Sequence, residues 1–443
     1  MNCFKSTAFL LVLTLLAANF SFAQTLAQPR QEKLLNGLKV LIWNEPKAEK
    51  VSLRLRIHSG SAFDPKDKMG VMALLADILF PTEQTKNFFE EDLEGSLEVA
   101  SNYDYIQISA TAKPDEFLTL LETVATVVAS PPLTPENFVK VRDARLKAVE
   151  EMQKNPAYVA DQAAAKRLLG DFPYGRPQAG TPESLKLIER ADLLTAKDKF
   201  FTADNATLAI TGNVKPDFAY MAARRLFGAW KKADKLVPAT FRQPDDPEAR
   251  IFYAEIPGEN TGEIRQAIRG LARNDKDFWA SVILTRILQL RYQKDLKNTN
   301  LFVRQDAHLL PSLVIMGFSV ELGKAEVKPA VESTDLKPPP VPTSPQTNHP
   351  NFIRQITQNP ITPEEFDKAR DEVSMEFTRK NAADLWLDID SYKLVSVKDE
   401  SQKVTNVTLV DLQRVLERWK KEVEVRGIFT GKVVTKTTTQ PQN

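Results

Sequence analysis

One cysteine, three histidines and 16 glycines in 443 residues is a poor endowment for chemistry, and each scarcity excludes a class of site. Cys3 lies in a stretch with the marks of a targeting segment: Lys5 as the positive end, an apolar run from Ala8 to Ala18, and Ser21-Phe22-Ala23 as a small-x-small cleavage site before Gln24. Residues 1–23 are therefore expected to be a signal peptide, with Cys3 too early to serve a lipid-modified site. The mature chain then has no thiol, which excludes disulfides, thiolate catalysis and cysteine-bound metal. The apolar run falls short of the ~20 residues a bilayer crossing needs, and no later stretch is longer, so no membrane span is expected after cleavage. The expected location is periplasmic or secreted.

His58, His308 and His349 are isolated, with no pair at i,i+4 spacing to hold a metal. Structural hydrogen bonding or solvent exposure is the expectation for each. No G-x-G-x-x-G or G-x-x-x-x-G-K run cradles a phosphate, and no G-x-S-x-G elbow presents a nucleophile. Charge is balanced: of 59 basic and 58 acidic residues, loss of Lys5 leaves 58 of each. That balance gives no electrostatic reason for a nucleic-acid partner or an anionic membrane.

What the chain does have is internal repetition. Leu133-Thr-Pro-Glu-Asn-Phe-Val-Lys-Val-Arg-Asp143 returns as Ile361-Thr-Pro-Glu-Glu-Phe-Asp-Lys-Ala-Arg-Asp371. In both, Thr before Pro-Glu is an N-cap followed by proline at the first helical position. A second echo joins Ala206-Thr-Leu-Ala-Ile-Thr-Gly212 to Val425-Arg-Gly-Ile-Phe-Thr-Gly431, two β-favouring runs that end in Thr-Gly. About 420 mature residues suit two or three domains, and the echoes make two of them homologous. The expected plan is a first half over 24–235, a linker over 236–250, a second half over 251–432 and a disordered tail over 433–443. Strands at Leu38–Ile42, Val51–His58 and Leu97–Thr111 mix with helices at Met69–Phe80 and Pro114–Leu169, which predicts an α+β fold. Each half is expected to be an antiparallel-rich sheet with helices on one face, the two forming a clam-like chamber. Seven prolines between Lys328 and Pro350 predict an extended loop there.

The sequence resembles the insulinase/pitrilysin family of zinc peptidases over nearly all of its mature length. The resemblance is carried by Asn36-Gly-Leu-Lys-Val-Leu-Ile42, His58-Ser-Gly-Ser61, Gly70-Val-Met-Ala-Leu-Leu-Ala-Asp-Ile-Leu-Phe80, Phe172-Pro-Tyr-Gly175, Gly180-Thr-Pro-Glu-Ser-Leu185, Asn205–Gly212 and Phe227-Gly-Ala-Trp230. The resemblance implies that the helix from Gly70 to Phe80 carries H-x-x-E-H in active relatives: two zinc-binding imidazoles, a general base between them, and a second Glu from a later helix. Here those three positions are Ala73, Ala76 and Asp77. Methyl groups neither coordinate nor accept protons, so neither catalytic residues nor a metal site are expected. Glu150 and Glu151 fall near the place of the later ligand, but two carboxylates make a poor zinc site, and a solvated helix face suits them better. Asp77 is expected to pair with a nearby cation.

The resemblance also implies a substrate-holding Arg and Tyr in the second half, and Arg291 and Phe302 fall at those positions. The implied function is that of a non-catalytic subunit that binds peptide and supports an active zinc-peptidase homologue, or a second copy of itself, with zinc only in the partner. The alternatives are a metalloendopeptidase with unrecognised ligands and a structural, peptide-holding subunit of a larger assembly.

Overall fold

The computed structural model describes residues 28–249, 251–296, 300–322 and 358–432. The signal segment, the proline-rich stretch 328–350 with His349, and the tail 433–443 lie outside them.

Two sheets form. The first contains β1 (Arg30–Lys33), β2 (Lys39–Asn44), β3 (Val51–Ile57), β4 (Ser96–Ser101), β5 (Ile106–Ala112) and β6 (Ala206–Gly212), in the order β1-β2-β6-β3-β5-β4. The second contains β7 (Phe252–Glu259), β8 (Thr261–Arg269), β9 (Phe302–Gln305), β10 (Leu313–Glu321) and β11 (Val425–Lys432), in the order β7-β11-β8-β10-β9. Set β1 aside and the two are one topology. In each, the closing strand inserts between the first two, parallel to the first and antiparallel to the second.

The longer helices are α1 (Val71–Asp77), α2 (Phe117–Ala129), α3 (Pro135–Met152), α4 (Pro156–Leu169), α5 (Arg190–Phe200) and α6 (Pro216–Phe227) before the linker. After it come α7 (Phe278–Leu296), α8 (Pro363–Arg379), α9 (Ala382–Tyr392), α10 (Val397–Thr405) and α11 (Leu409–Trp419). The repeated Thr-Pro-Glu segments start α3 and α8, where Thr134 and Thr362 accept from the amides of Asn137 and Glu365. The second echo corresponds less closely. Its strands β6 and β11 hold equivalent places, but Ala209 packs with Trp43 and Leu387, whereas the aligned Ile428 lies opposite Ile264 of the second core. The pleat is offset by one residue, and with a side-chain period of two that exchanges the faces.

On one face each sheet packs its own helices. Val51, Leu53, Leu55 and Ile57 of β3 join Leu120, Leu121 and Val124 of α2 in the first core; Ile264 and Ile268 of β8 join Ile283, Ile287 and Val373 in the second. The other faces carry a helix from the opposite half. α9 lies on the first sheet, where Ala383 and Leu387 meet Leu41, Trp43 and Ala209. α4 lies on the second, where Ala160, Ala164 and Leu168 meet Ile256, Ala267, Ile315, Val425 and Phe429. This reciprocal exchange joins the halves through buried surface rather than through the linker alone.

Candidate functional site

The motif helix α1 begins where the chain must turn sharply. Gly70 adopts φ of 102°, a left-handed conformation suited to glycine. Its N–H and that of Met72 donate to the Asp64 carboxylate at 2.7 and 2.9 Å, which satisfies amides the helix leaves open. Burial pushes Asp64 up to about 7, against those two bonds and the nearby Arg176. Asp64 thus fixes the start of α1, and the one-turn rise of the helix sets Ala73, Ala76 and Asp77 against α3.

There the side chain that α3 presents is Arg145. Its Nε and Nη2 donate to Asp77 Oδ2 and Oδ1 at 2.7 and 2.5 Å, a two-pronged ion pair. Burial raises the Asp77 pKa, and the adjoining guanidinium pulls it back. Ala73 and Ala76 are buried. Glu150 and Glu151 are exposed farther along α3, and Glu151 pairs with Lys154 at 2.7 Å. These residues do not fit zinc: the first imidazole position, Ala73, and the general-base position, Ala76, are methyl groups, the second imidazole position is a carboxylate already occupied, and its occupant is a fixed positive charge that would repel a metal ion. Among the described residues no cluster of three His, Cys, Asp or Glu side chains could hold a metal.

Two cavities flank the ion pair. One of about 390 Å³ is bounded by Ala73, Ser101, Tyr158, Gln162 and Gln178; the other, of about 460 Å³, by Phe80, Leu97, Val141 and Ala148. Ala76, Asp77, Val99 and Arg145 line both. β4, an edge strand, forms one wall. The Asn102 amide bonds to Tyr105 O at 2.9 Å in the β4–β5 hairpin, so by alternation the main-chain groups of Leu97, Val99 and Ser101 point away from β5. Ser101 O is taken by the Gln178 side chain.

Arg291 is not at this cleft. Its Nε and Nη2 donate to Glu365 at 2.8 and 2.6 Å, and it also reaches the carbonyls of Asn359 and Pro360 at 2.6 and 3.0 Å. Glu365 is the third residue of α8 and closes its capping box. Arg291 is therefore engaged at a helix start. Phe302, half-buried at the start of β9, stacks under Arg265 and Arg304, with guanidinium carbons 5.2 and 4.8 Å from its ring centre. The structure does not bring Arg291 and Phe302 together as a pair.

The two described histidines join the halves. His308 Nδ1 lies 2.7 Å from Asp104, which also accepts from Tyr174 at 2.6 Å. Tyr174 belongs to the Phe-Pro-Tyr-Gly segment, so that segment serves an interface. His58 lies between Ser391 and Thr207 at 3.0 and 2.9 Å, and burial pushes it down to about 3. A neutral ring is consistent with Nε2–H donating to Thr207, whose hydroxyl donates to Asp390 at 2.9 Å, and Nδ1 accepting from Ser391.

Comparison with known proteins follows the same outline. The family model for insulinase, peptidase family M16, matches residues 39–181, and the model for the peptidase M16 inactive domain matches residues 188–305. The chain belongs to the insulinase, or M16, peptidase family. An uncharacterized zinc protease of Rickettsia felis is 25% identical over 216 residues, 47% of this chain and 52% of that protein. Cytochrome b-c1 complex subunit 1 of Saccharomyces cerevisiae is 28% identical over 200 residues, 44% of each chain. The chain spans about half the length of the curated relatives it matches. Among solved structures, a peptidase M16 inactive domain from Pseudomonas fluorescens superposes with a TM-score of 0.75 at 19% identity, covering 92% of this chain and 99% of that one. The periplasmic protease PqqL of Escherichia coli gives 0.64 at 12% identity, covering 91% and 48%. These neighbours share the M16 fold, with its two sheets and packed helices.

Proposed function

We propose that this M16 chain is a non-catalytic subunit that binds peptide and supports an active zinc-peptidase partner in the bacterial envelope, with the metal held only by that partner. The observation that carries the reading is the Asp77–Arg145 pair beside two buried alanines. The position at which the family resemblance implies chemistry is filled here by a complete ion pair, and a cleft and an edge strand lie beside it. An exposed strand edge can take an extended peptide through main-chain hydrogen bonds without any metal. The targeting segment and the fold shared with a periplasmic protease support an envelope location. Among the described residues no helix is long and apolar enough to cross a membrane.

Elemental analysis of the purified, zinc-loaded chain should find well under one zinc per molecule. One tightly held ion would instead favour a metalloendopeptidase with unrecognised ligands. Size-exclusion chromatography of the chain mixed with an H-x-x-E-H relative from the same organism should give a joint peak, and a quenched-peptide assay should show raised partner activity. The likeness to a respiratory-complex subunit and the Gln178 side chain on Ser101 O favour a second reading, a structural subunit. Separate peaks and unchanged partner kinetics would leave that reading standing.

A further inference from the structure

We infer that Arg145 is a peptide-binding residue, its guanidinium taking the place of the metal by donating to a main-chain carbonyl of a strand laid along β4. This rests on the peptide-binding reading above. Nε and Nη2 are spent on Asp77, but Nη1 has no partner among the described residues, and the side chain is only 19% exposed. A guanidinium keeps its charge and all five N–H donors at any physiological pH. Two donors therefore remain at the junction of the 390 and 460 Å³ cavities, beside the free edge groups of Leu97 and Val99.

The pair also selects the ligand. Asp77 cancels most of the charge, so the complement of Nη1 is a neutral carbonyl rather than a carboxylate. Because Asp77 holds the guanidinium at two points, little rotamer freedom remains to be lost on binding. On one side of the pair the wall carries the polar groups of Tyr158 and Gln162; on the other it is mainly apolar, with Phe80, Leu97 and Val141, and Glu83 and Lys86 also line it. The expected ligand is an extended peptide with a polar, uncharged side chain over the first pair and an apolar one over the second.

A pool of fluorescein-labelled nonapeptides, screened by anisotropy against the full chain, supplies the probe. In D77A/R145L both charges leave together, so no buried ion is orphaned, and the best peptide should bind about tenfold more weakly, as loss of one charge-assisted hydrogen bond implies. A trans-alkene placed at successive peptide bonds removes one carbonyl at a time. One position should cost about tenfold with the wild-type chain and nothing further with D77A/R145L, because the partner is already gone. A folded double variant, with unchanged melting temperature and unchanged affinity, overturns the inference, as do alkene losses that are equal in both proteins. If no peptide in the pool binds the wild-type chain, the peptide-binding reading itself fails.

Discussion

The two exchanged helices occupy equivalent places and are held by different chemistry. α4 meets the second sheet mainly through apolar groups, with Asp161 set between Arg265 and Arg304 and Arg167 over the Phe252 ring. α9 meets the first through a row of charges: Asp384 with Arg54 at 3.3 Å, Asp388 with Arg56 at 2.7 Å and Asp390 with Lys39 at 3.1 Å, with His58 between Ser391 and Thr207. An apolar seam responds little to pH or salt, whereas a polar one responds to both. The α9 seam is therefore expected to respond more strongly to acid and salt than the α4 seam.

The largest expected effect lies where the apolar seam hides its ions. Arg265 is 1% exposed and pairs with Asp161 and with Glu263, itself buried, at 2.8 Å. Arg265→Ala leaves the buried Glu263 carboxylate without its cation, while Asp161 keeps Arg304, and should cost roughly 3–5 kcal/mol, read as a shift of the urea midpoint at constant slope. A cost under about 1 kcal/mol would show that water reaches the pair and that this seam is no drier than the other.

The second effect belongs to the polar seam. Burial holds His58 at about 3, below its ordinary 6.5, so the folded state binds fewer protons than the unfolded one. A depressed pKa contributes stability that is complete above 6.5 and is lost as pH falls towards 3, at up to about 1.4 kcal/mol per pH unit. Trp43 and Trp386, in edge contact with ring centres 6.4 Å apart, sit at this seam. Their fluorescence should report loosening of α9 between pH 6 and 4, and His58→Gln should flatten that response. An identical acid profile for the variant would assign the loosening to the carboxylates instead.

The same contrast explains what could be read from the sequence. Helix starts are local: a Thr hydroxyl, a proline and an acidic first turn lie within four residues, so α3 and α8 are legible. The hairpin within Leu97–Thr111 and the division of Pro114–Leu169 into three helices follow from Asn102, Pro135 and Pro156, which are also local signals. Exchange is not local: Asp161 and Arg265 are 104 residues apart, and nothing beside either marks the pairing. β1 escapes because Arg-Gln-Glu-Lys is an edge strand with no apolar alternation. Ala73, Ala76 and Asp77 identify the altered site, but Arg145 requires knowing which face of α3 turns inward. Val141, buried one turn before it, is the signal that could have found it. The capping contact of Arg291 is not legible, because an exposed-looking helix cation and a capping partner are indistinguishable until α8 is placed beside it.

The smallest effect sharpens the comparison at the rim of the polar seam. Asp384 stands in the first turn of α9, with its side chain 36% exposed, 3.3 Å from Arg54 Nε and 3.8 Å from Arg56 Nη2. Neither contact has hydrogen-bond geometry, since Asp384 Oδ1 meets no donor. What remains is Coulomb attraction through partly solvated surroundings and a favourable place at the positive end of the helix, each worth a few tenths of a kcal/mol. Asp384→Ala should therefore cost no more than about 1 kcal/mol and should lose most of that effect in 1 M salt, where screening acts within about 3 Å. Asp388→Ala should behave differently, because it takes the close carboxylate from Arg56, which is 2% exposed and is left with Gln107 and the more distant Asp384, and salt cannot enter to compensate. Equal costs for the two variants, or an Asp384→Ala cost that salt leaves unchanged, would mean that α9 is seated by its apolar residues and that its charges are incidental.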